Sequence, residues 1–118
     1  MSLEERAREL GRLIGQSGEY QAVKRASEAL NSDRDASALL RQMEGLQMEA
    51  QRLIERGDQP TPEMEQQLDA LLMKVQTNRT YQDMVVAQEN FDKVMARVNQ
   101  WILDGIRKGA TSSIITLS

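Results

Sequence analysis

Residues 81–108 read YQDMVVAQENFDKVMARVNQWILDGIRK, and their periodicity decides the fold class. Met84, Phe91 and Val98 recur every seven positions, Ala87, Val94 and Trp101 fall between them, and Met95, Ile102 and Ile106 widen the set to one apolar helix face. The opposite face carries Gln82, Asp83, Glu89, Asp92, Lys93, Arg97, Gln100 and Asp104, and no cluster among them forms a catalytic set. A helix of this span is about 40 Å long at 1.5 Å per residue. That exceeds what a compact domain of 118 residues needs, so a further surface must cover the seam, within the chain or from a second subunit. Each large side chain of the seam is worth about 1.5–3 kcal/mol when fully buried, an upper figure because unfolded chains are already partly collapsed.

Upstream, the same reading gives four more helical segments. Ser2 followed by Glu5 is a capping-box pattern, and Leu3, Ala7, Leu10 and Ile14 step along one face to about Gly15. Ser17 caps a second helix with Tyr20, Val23, Ala26 and Leu30 on its apolar face, ended by Asn31-Ser32-Asp33. A third runs from Asp33 to about Arg56 on Leu39, Met43, Leu46, Ala50 and Leu53. Gly57 suits the left-handed position past its end, Thr61 caps the next helix and Pro62 opens it. Met64, Leu68, Leu71 and Val75 then face the third helix, making an αα-hairpin. Asn78-Arg79-Thr80 marks a short break, with Thr80 and Asp83 placed to cap the last helix, which Gly109 is expected to stop. Residues 110–118 change character: Thr111, Ile114, Ile115 and Thr116 are β-branched, consistent with an extended segment that docks on a partner or on the bundle, or with a frayed end.

Composition narrows the chemistry. The chain has one domain's worth of residues, enough for a compact fold to hide roughly two thirds of its unfolded surface. Seven Met and 3% aromatic residues mean a core of Leu, Ile, Val, Ala and Met. The net charge of -3 offers no basic excess for a phosphate backbone, which argues against direct nucleic-acid binding; Arg6, Arg8 and Arg12 read as a solvated helix face. Cysteine and histidine are both absent, removing disulfides, thiolate nucleophiles, cysteine-held zinc or iron–sulfur centres, and the usual acid/base at neutral pH. No apolar run reaches the roughly 20 residues that span a bilayer, and the acidic, amphipathic N-terminus is unlike a signal peptide, so the expected compartment is the cytoplasm. Asn78-Arg79-Thr80 also matches a glycosylation acceptor, without consequence there.

Glu44 with Glu49, and Glu63 with Glu65 and Asp69, are the carboxylate groups nearest to an imaginable acid/base or metal site, yet none is set on an apolar face, and a solvated exterior accounts for them. Lys24 and Arg25 near Tyr20 resemble polar partners of an aromatic tip. No cofactor is expected. The strongest anchors are aromatic: Phe91 as core and Trp101 as interface.

The order and spacing of these features resemble the YlbF/YmcA family of small helical bacterial proteins. The likeness runs from Leu10–Gly15 through Ser17-Gly18-Glu19-Tyr20, Lys24, Ala26, Leu30 and Asp33 to Leu40, Leu46-Gln47 and Gln51. It continues through Gly57, Thr61, Tyr81, Ala87, Phe91, Val94-Met95, Val98 and Ile102. The resemblance implies a self-associating regulatory adaptor rather than an enzyme: YlbF and YmcA associate with each other and with a third protein, and the complex modulates an endoribonuclease that matures messenger RNA, affecting competence, biofilm formation and sporulation. Some members hold iron–sulfur clusters on cysteines; with none here that cofactor is not carried over, which points to a simpler paralogue that dimerises through helical seams.

The expectation is therefore all-α: an antiparallel bundle of four to five helices with a central αα-hairpin and a long C-terminal helix, as a single domain over 1–109 with a short apolar tail at 110–118. The expected interface comprises Met84, Phe91, Val94, Met95, Val98, Trp101, Ile102 and Ile106, with Ile114 and Ile115 of the tail. The expected partners are a second copy, most simply as a dimer, a paralogous family member or an RNA-processing protein, without membrane association. A nucleic-acid-associated helical protein, a purely structural oligomerisation module and a degenerate enzyme acting through carboxylates are the alternatives.

Overall fold

Each helix begins where a short polar side chain can take up a free backbone N–H. The structure, a computed structural model, describes residues 2–111. α1 (Leu3–Gly15) starts at Ser2, whose hydroxyl accepts from the Glu5 N–H at 3.1 Å, and α2 (Gly18–Ser32) starts at Ser17, which accepts from Tyr20 at 3.2 Å. α3 (Arg34–Glu55) is capped by Asp33 through the Ala36 N–H at 3.0 Å, and α4 (Pro62–Thr77) by Thr61 through Met64 at 3.2 Å. Between them Gly57 takes φ +86°. Its N–H bonds to the Ile54 carbonyl and the Asp58 N–H to the Leu53 carbonyl, the paired closure that ends a helix on a left-handed residue.

The start of α5 (Arg79–Thr111) differs from the sequence expectation. Asn78 provides the cap, its Oδ1 accepting from the Tyr81 N–H at 3.0 Å, while the Thr80 hydroxyl donates to Asp33 Oδ2 at 2.7 Å. Thr80 is drawn away because Asp33, the residue linking α2 to α3, stands beside the link between α4 and α5. The far end differs too. Gly109 does not stop the helix, which runs to Thr111, where that hydroxyl bonds back to the Arg107 carbonyl. Ile114 and Ile115 lie outside the described residues.

All five described elements are helical, with α3 and α4 forming the expected hairpin and α5 the expected long C-terminal helix. α2 runs antiparallel to the first half of α5, with Tyr20 edge-on to Phe91 (ring centroids 5.4 Å apart) and Asp33 beside Thr80 at the other end. The α2/α5 and α3/α4 pairs meet where each connecting strand of chain is one residue, Asp33 or Asn78. Polar side chains bridge both links: Ser37 donates to the Leu30 carbonyl at 3.2 Å and Gln82 to the Gln76 carbonyl at 2.8 Å, satisfying carbonyls freed at helix ends.

The pairs lie largely end to end. The chain measures 68 × 36 × 19 Å with a radius of gyration of 21.7 Å, whereas a compact domain of this length has a radius of about 13.5 Å. Among the described residues only Ala36, Val75, Ala87 and Val98 are buried, and no large side chain is fully enclosed. The chain exposes 9339 Å², against about 6,500 Å² for a compact monomer of its mass. Folding hides about half of the unfolded surface rather than two thirds, because two-helix layers leave one flank of each helix wet.

Candidate functional site

Met48, Ile54, Leu72, Met73 and Val86 are open singly along α3, α4 and early α5, but a contiguous set of exposed large apolar side chains stands at one end of the molecule. On α5, Val98 is buried, and every described residue after it is exposed except Asp104, which is half-covered. The step follows from where α2 begins. In the α2/α5 pair Tyr20 meets Phe91, and Ala22 and Ala26 share a shallow cavity with Ala87 and Asn90. Continued to Gly18, the first residue of α2, this ladder reaches only the level of Val94 and Met95. Above that level the chain turns off into α1 through Gln16 and Ser17, held by the Ser17 hydroxyl on the Ile14 carbonyl at 2.6 Å and Gln21 on the Gly15 carbonyl at 2.9 Å.

The expected interface residues therefore divide. Met84, Phe91, Val94 and Met95 are half-buried and Val98 is buried, all on the stretch of α5 that the chain itself covers. Trp101, Ile102 and Ile106 are 64%, 43% and 59% exposed, and Leu103, absent from the expected set, is also open. Leu103 flanks the stripe instead of lying in it, so periodicity alone passed over it. In helical projection Trp101, Ile102, Gly105, Ile106 and Gly109 form one arc centred on the line of Val98. Asp104 sits at the edge of that arc and accepts from Gln100 at 3.4 Å.

α1 is the second open element. It contains no buried residue, packs mainly on α2, and leaves Leu3 and Leu13 exposed. Glu4 and Arg8 pair along its exposed side, an i,i+4 contact between two solvated groups that adds little. A 13-residue helix without tertiary packing is marginal in water, so its apolar face calls for a partner.

Elsewhere the surface offers less. A shallow groove of about 450 Å³ runs between α3 and α4, lined by Gly45, Leu46, Ala70 and Leu71 with Glu49 and Lys74 at its rim. Among the described residues, no group of three or more carboxylates, cysteines or histidines is placed to hold a metal ion. No described helix is long and apolar enough to cross a membrane. Among the described residues the one carboxyl with a clear shift is Asp33, held below the ordinary range by the Ala36 N–H and the Thr80 hydroxyl against an opposing effect of burial, with smaller help from the Asp35 N–H and Asn78. It is a structural joint at the helix links, remote from the open end.

Comparison with known proteins bears on the family and the fold. The family model described as "Control of competence regulator ComK, YlbF/YmcA" matches residues 3–107. A UPF0342 protein of Streptococcus mutans is 32% identical over 83 residues, 70% of this chain and 74% of that protein. A UPF0342 protein of Leuconostoc mesenteroides is 25% identical over 99 residues, 84% of this chain and 85% of that protein. Among solved structures, Bacillus subtilis RicA, crystallised in complex with RicF, superposes with a TM-score of 0.80 at 16% identity, covering 92% of this chain and 96% of that one. A DUF964 protein of unknown function from Bacillus stearothermophilus gives 0.64 at 22% identity, covering 93% and 96%. At these identities the two structures speak for the fold.

Proposed function

The chain belongs to the YlbF/YmcA family, and from that premise we propose that it is a non-catalytic regulatory adaptor that self-associates through the distal face of α5 and binds partner proteins. The observation that carries this reading is the apolar arc Trp101, Ile102 and Ile106, left open on a helix whose earlier half is covered by α2. Large exposed aromatic and aliphatic side chains clustered on a rigid helix are the anchors that interfaces use. The fold shared with RicA, a protein crystallised with RicF, supports a protein as the partner class.

The finer role is the one the family implies: modulation of an endoribonuclease complex in RNA processing, in the cytoplasm, with a paralogous family member or an RNA-processing protein as the second component. Met84, Phe91, Val94, Met95 and Val98 support the arc from beneath by fixing α5 against α2, and Trp101, Ile102 and Ile106 make the contact. Light scattering across a dilution series tests this directly. Trp101→Ala is expected to weaken self-association by about 30-fold, an anchor-sized loss of roughly 2 kcal/mol, whereas Glu65→Ala on the exposed side of α4 leaves it unchanged. Equal behaviour of the two variants, or a monomeric parent chain, counts against the reading.

A further inference from the structure

The two open elements at this end match each other. α1 is as long as the stretch of α5 from Asn99 to Thr111, and both are amphipathic; on α1 only Leu10 and Ile14 of the apolar face are half-covered, with Leu3 and Ala7 open. Within the chain α1 has no substantial packing on α5, which is covered only as far as Val98. We propose that α1 of one copy docks antiparallel on the distal face of α5 of a second copy, and reciprocally, so that two chains exchange their N-terminal helices about a two-fold axis. This deepens the self-association reading and rests on it.

Three observations point to a second copy as the occupant. The first is shape. If the antiparallel ladder of the α2/α5 pair is continued across the exchange, Leu10 falls beside Ile102 and Ala7 beside Gly105. The small pair lets the two helices approach closely next to the large one. A Cβ built on Gly11, Gly105 or Gly109 would meet nothing within 4 Å. Glycine in a helix interior is unfavourable relative to alanine, and Gly105, set among the exposed Trp101, Ile102 and Ile106, leaves room for a helix of another chain to pass close. Leu13, on the same flank as Trp101 in an antiparallel pairing, is also left open by its own chain.

The second is charge. An antiparallel exchange sets Arg6 on the flank that carries Asp104 and the N-terminus of α1 beside the carbonyl end of α5, where the two helix dipoles oppose favourably. A parallel docking would give up both. The third is area. The chain exposes 9339 Å², far above the roughly 6,500 Å² of a compact monomer, and a standard interface hides about 800 Å² per partner. Two reciprocal helix contacts per dimer fit within that excess, and an isologous arrangement closes without leaving a free end to propagate.

The absence of cysteine makes the test clean. Leu10→Cys and Ile102→Cys are made in separate chains, co-expressed and oxidised. The exchange gives a disulfide-linked species of twice the chain mass containing both variants, in far higher yield than Leu10→Cys with Glu65→Cys. Linkage at monomer mass only, in the Leu10→Cys/Ile102→Cys double variant, would overturn the proposal by showing α1 folded on its own α5. A dimer by light scattering without the Leu10–Ile102 linkage would overturn the exchange and leave self-association standing; a monomer would overturn both. Gly105→Ala gives an independent check that does not threaten folding. With a helix lying on Gly105 it weakens dimerisation at least tenfold at unchanged helix content, and unchanged or tighter association would overturn the proposal.

Discussion

Asp33 shows how one residue serves two parts of the molecule. One carboxylate oxygen caps α3 through the Ala36 N–H and the other accepts from Thr80, 47 positions away at the start of α5. These donors favour the ionised form and hold the Asp33 carboxyl below its ordinary value. A depressed carboxyl contributes stability that is present above its unfolded value, near 3.8, and is lost as pH falls through the folded value. The stability difference between the parent chain and Asp33→Ala, read from denaturant midpoints, is therefore expected to be full above about pH 5 and to shrink as the solution is acidified below pH 4. A difference constant with pH would show that the carboxylate's charge plays no part. The caps at Ser2, Ser17 and Thr61 and the turn at Gly57 were legible in the sequence because each rests on neighbours within a few positions. Thr80 was not: Asn78 and Thr80 are equally good local caps, and the choice is made by a partner on a distant stretch of chain.

At the scale of the element, helix lengths and apolar faces followed from periodicity, and the α3/α4 hairpin from the turn between them. The end of α5 did not, because a single glycine at position 109 costs only about 1 kcal/mol and a helix already propagated can absorb it. The same figure bears on Gly45 in the middle of α3, which lines the shallow α3/α4 groove and has open space where a Cβ would sit. Gly45→Ala is expected to stabilise the chain by about 1 kcal/mol, seen as a raised denaturation midpoint with unchanged self-association. A destabilised Gly45→Ala would mean that another surface lies against that groove. The stripe on distal α5 was likewise readable as a stripe. What the sequence did not reveal was how far along it α2 reaches, since that depends on where the chain breaks between α1 and α2.

For the whole molecule, the same apolar faces would suit a closed bundle or an extended one. Local pattern does not choose between them. The choice falls to the links at Asp33 and Asn78, each too short for α3 to fold back along α2 or α4 along α5, so the two pairs continue end to end. X-ray scattering of dilute, monomeric Trp101→Ala is expected to give a radius of gyration close to 21.7 Å; a value near the 13.5 Å of a compact domain would show that the pairs fold together in solution. The joint also sets mechanical leverage. α3 has 22 residues, so the turn at Gly57 stands about 33 Å from Asp33, and a rotation of 10° about the Asp33–Thr80 contact would sweep that tip through about 6 Å. A single hydroxyl-to-carboxylate bond thus lies at the fulcrum of a lever whose far end travels twice the length of the bond that steadies it.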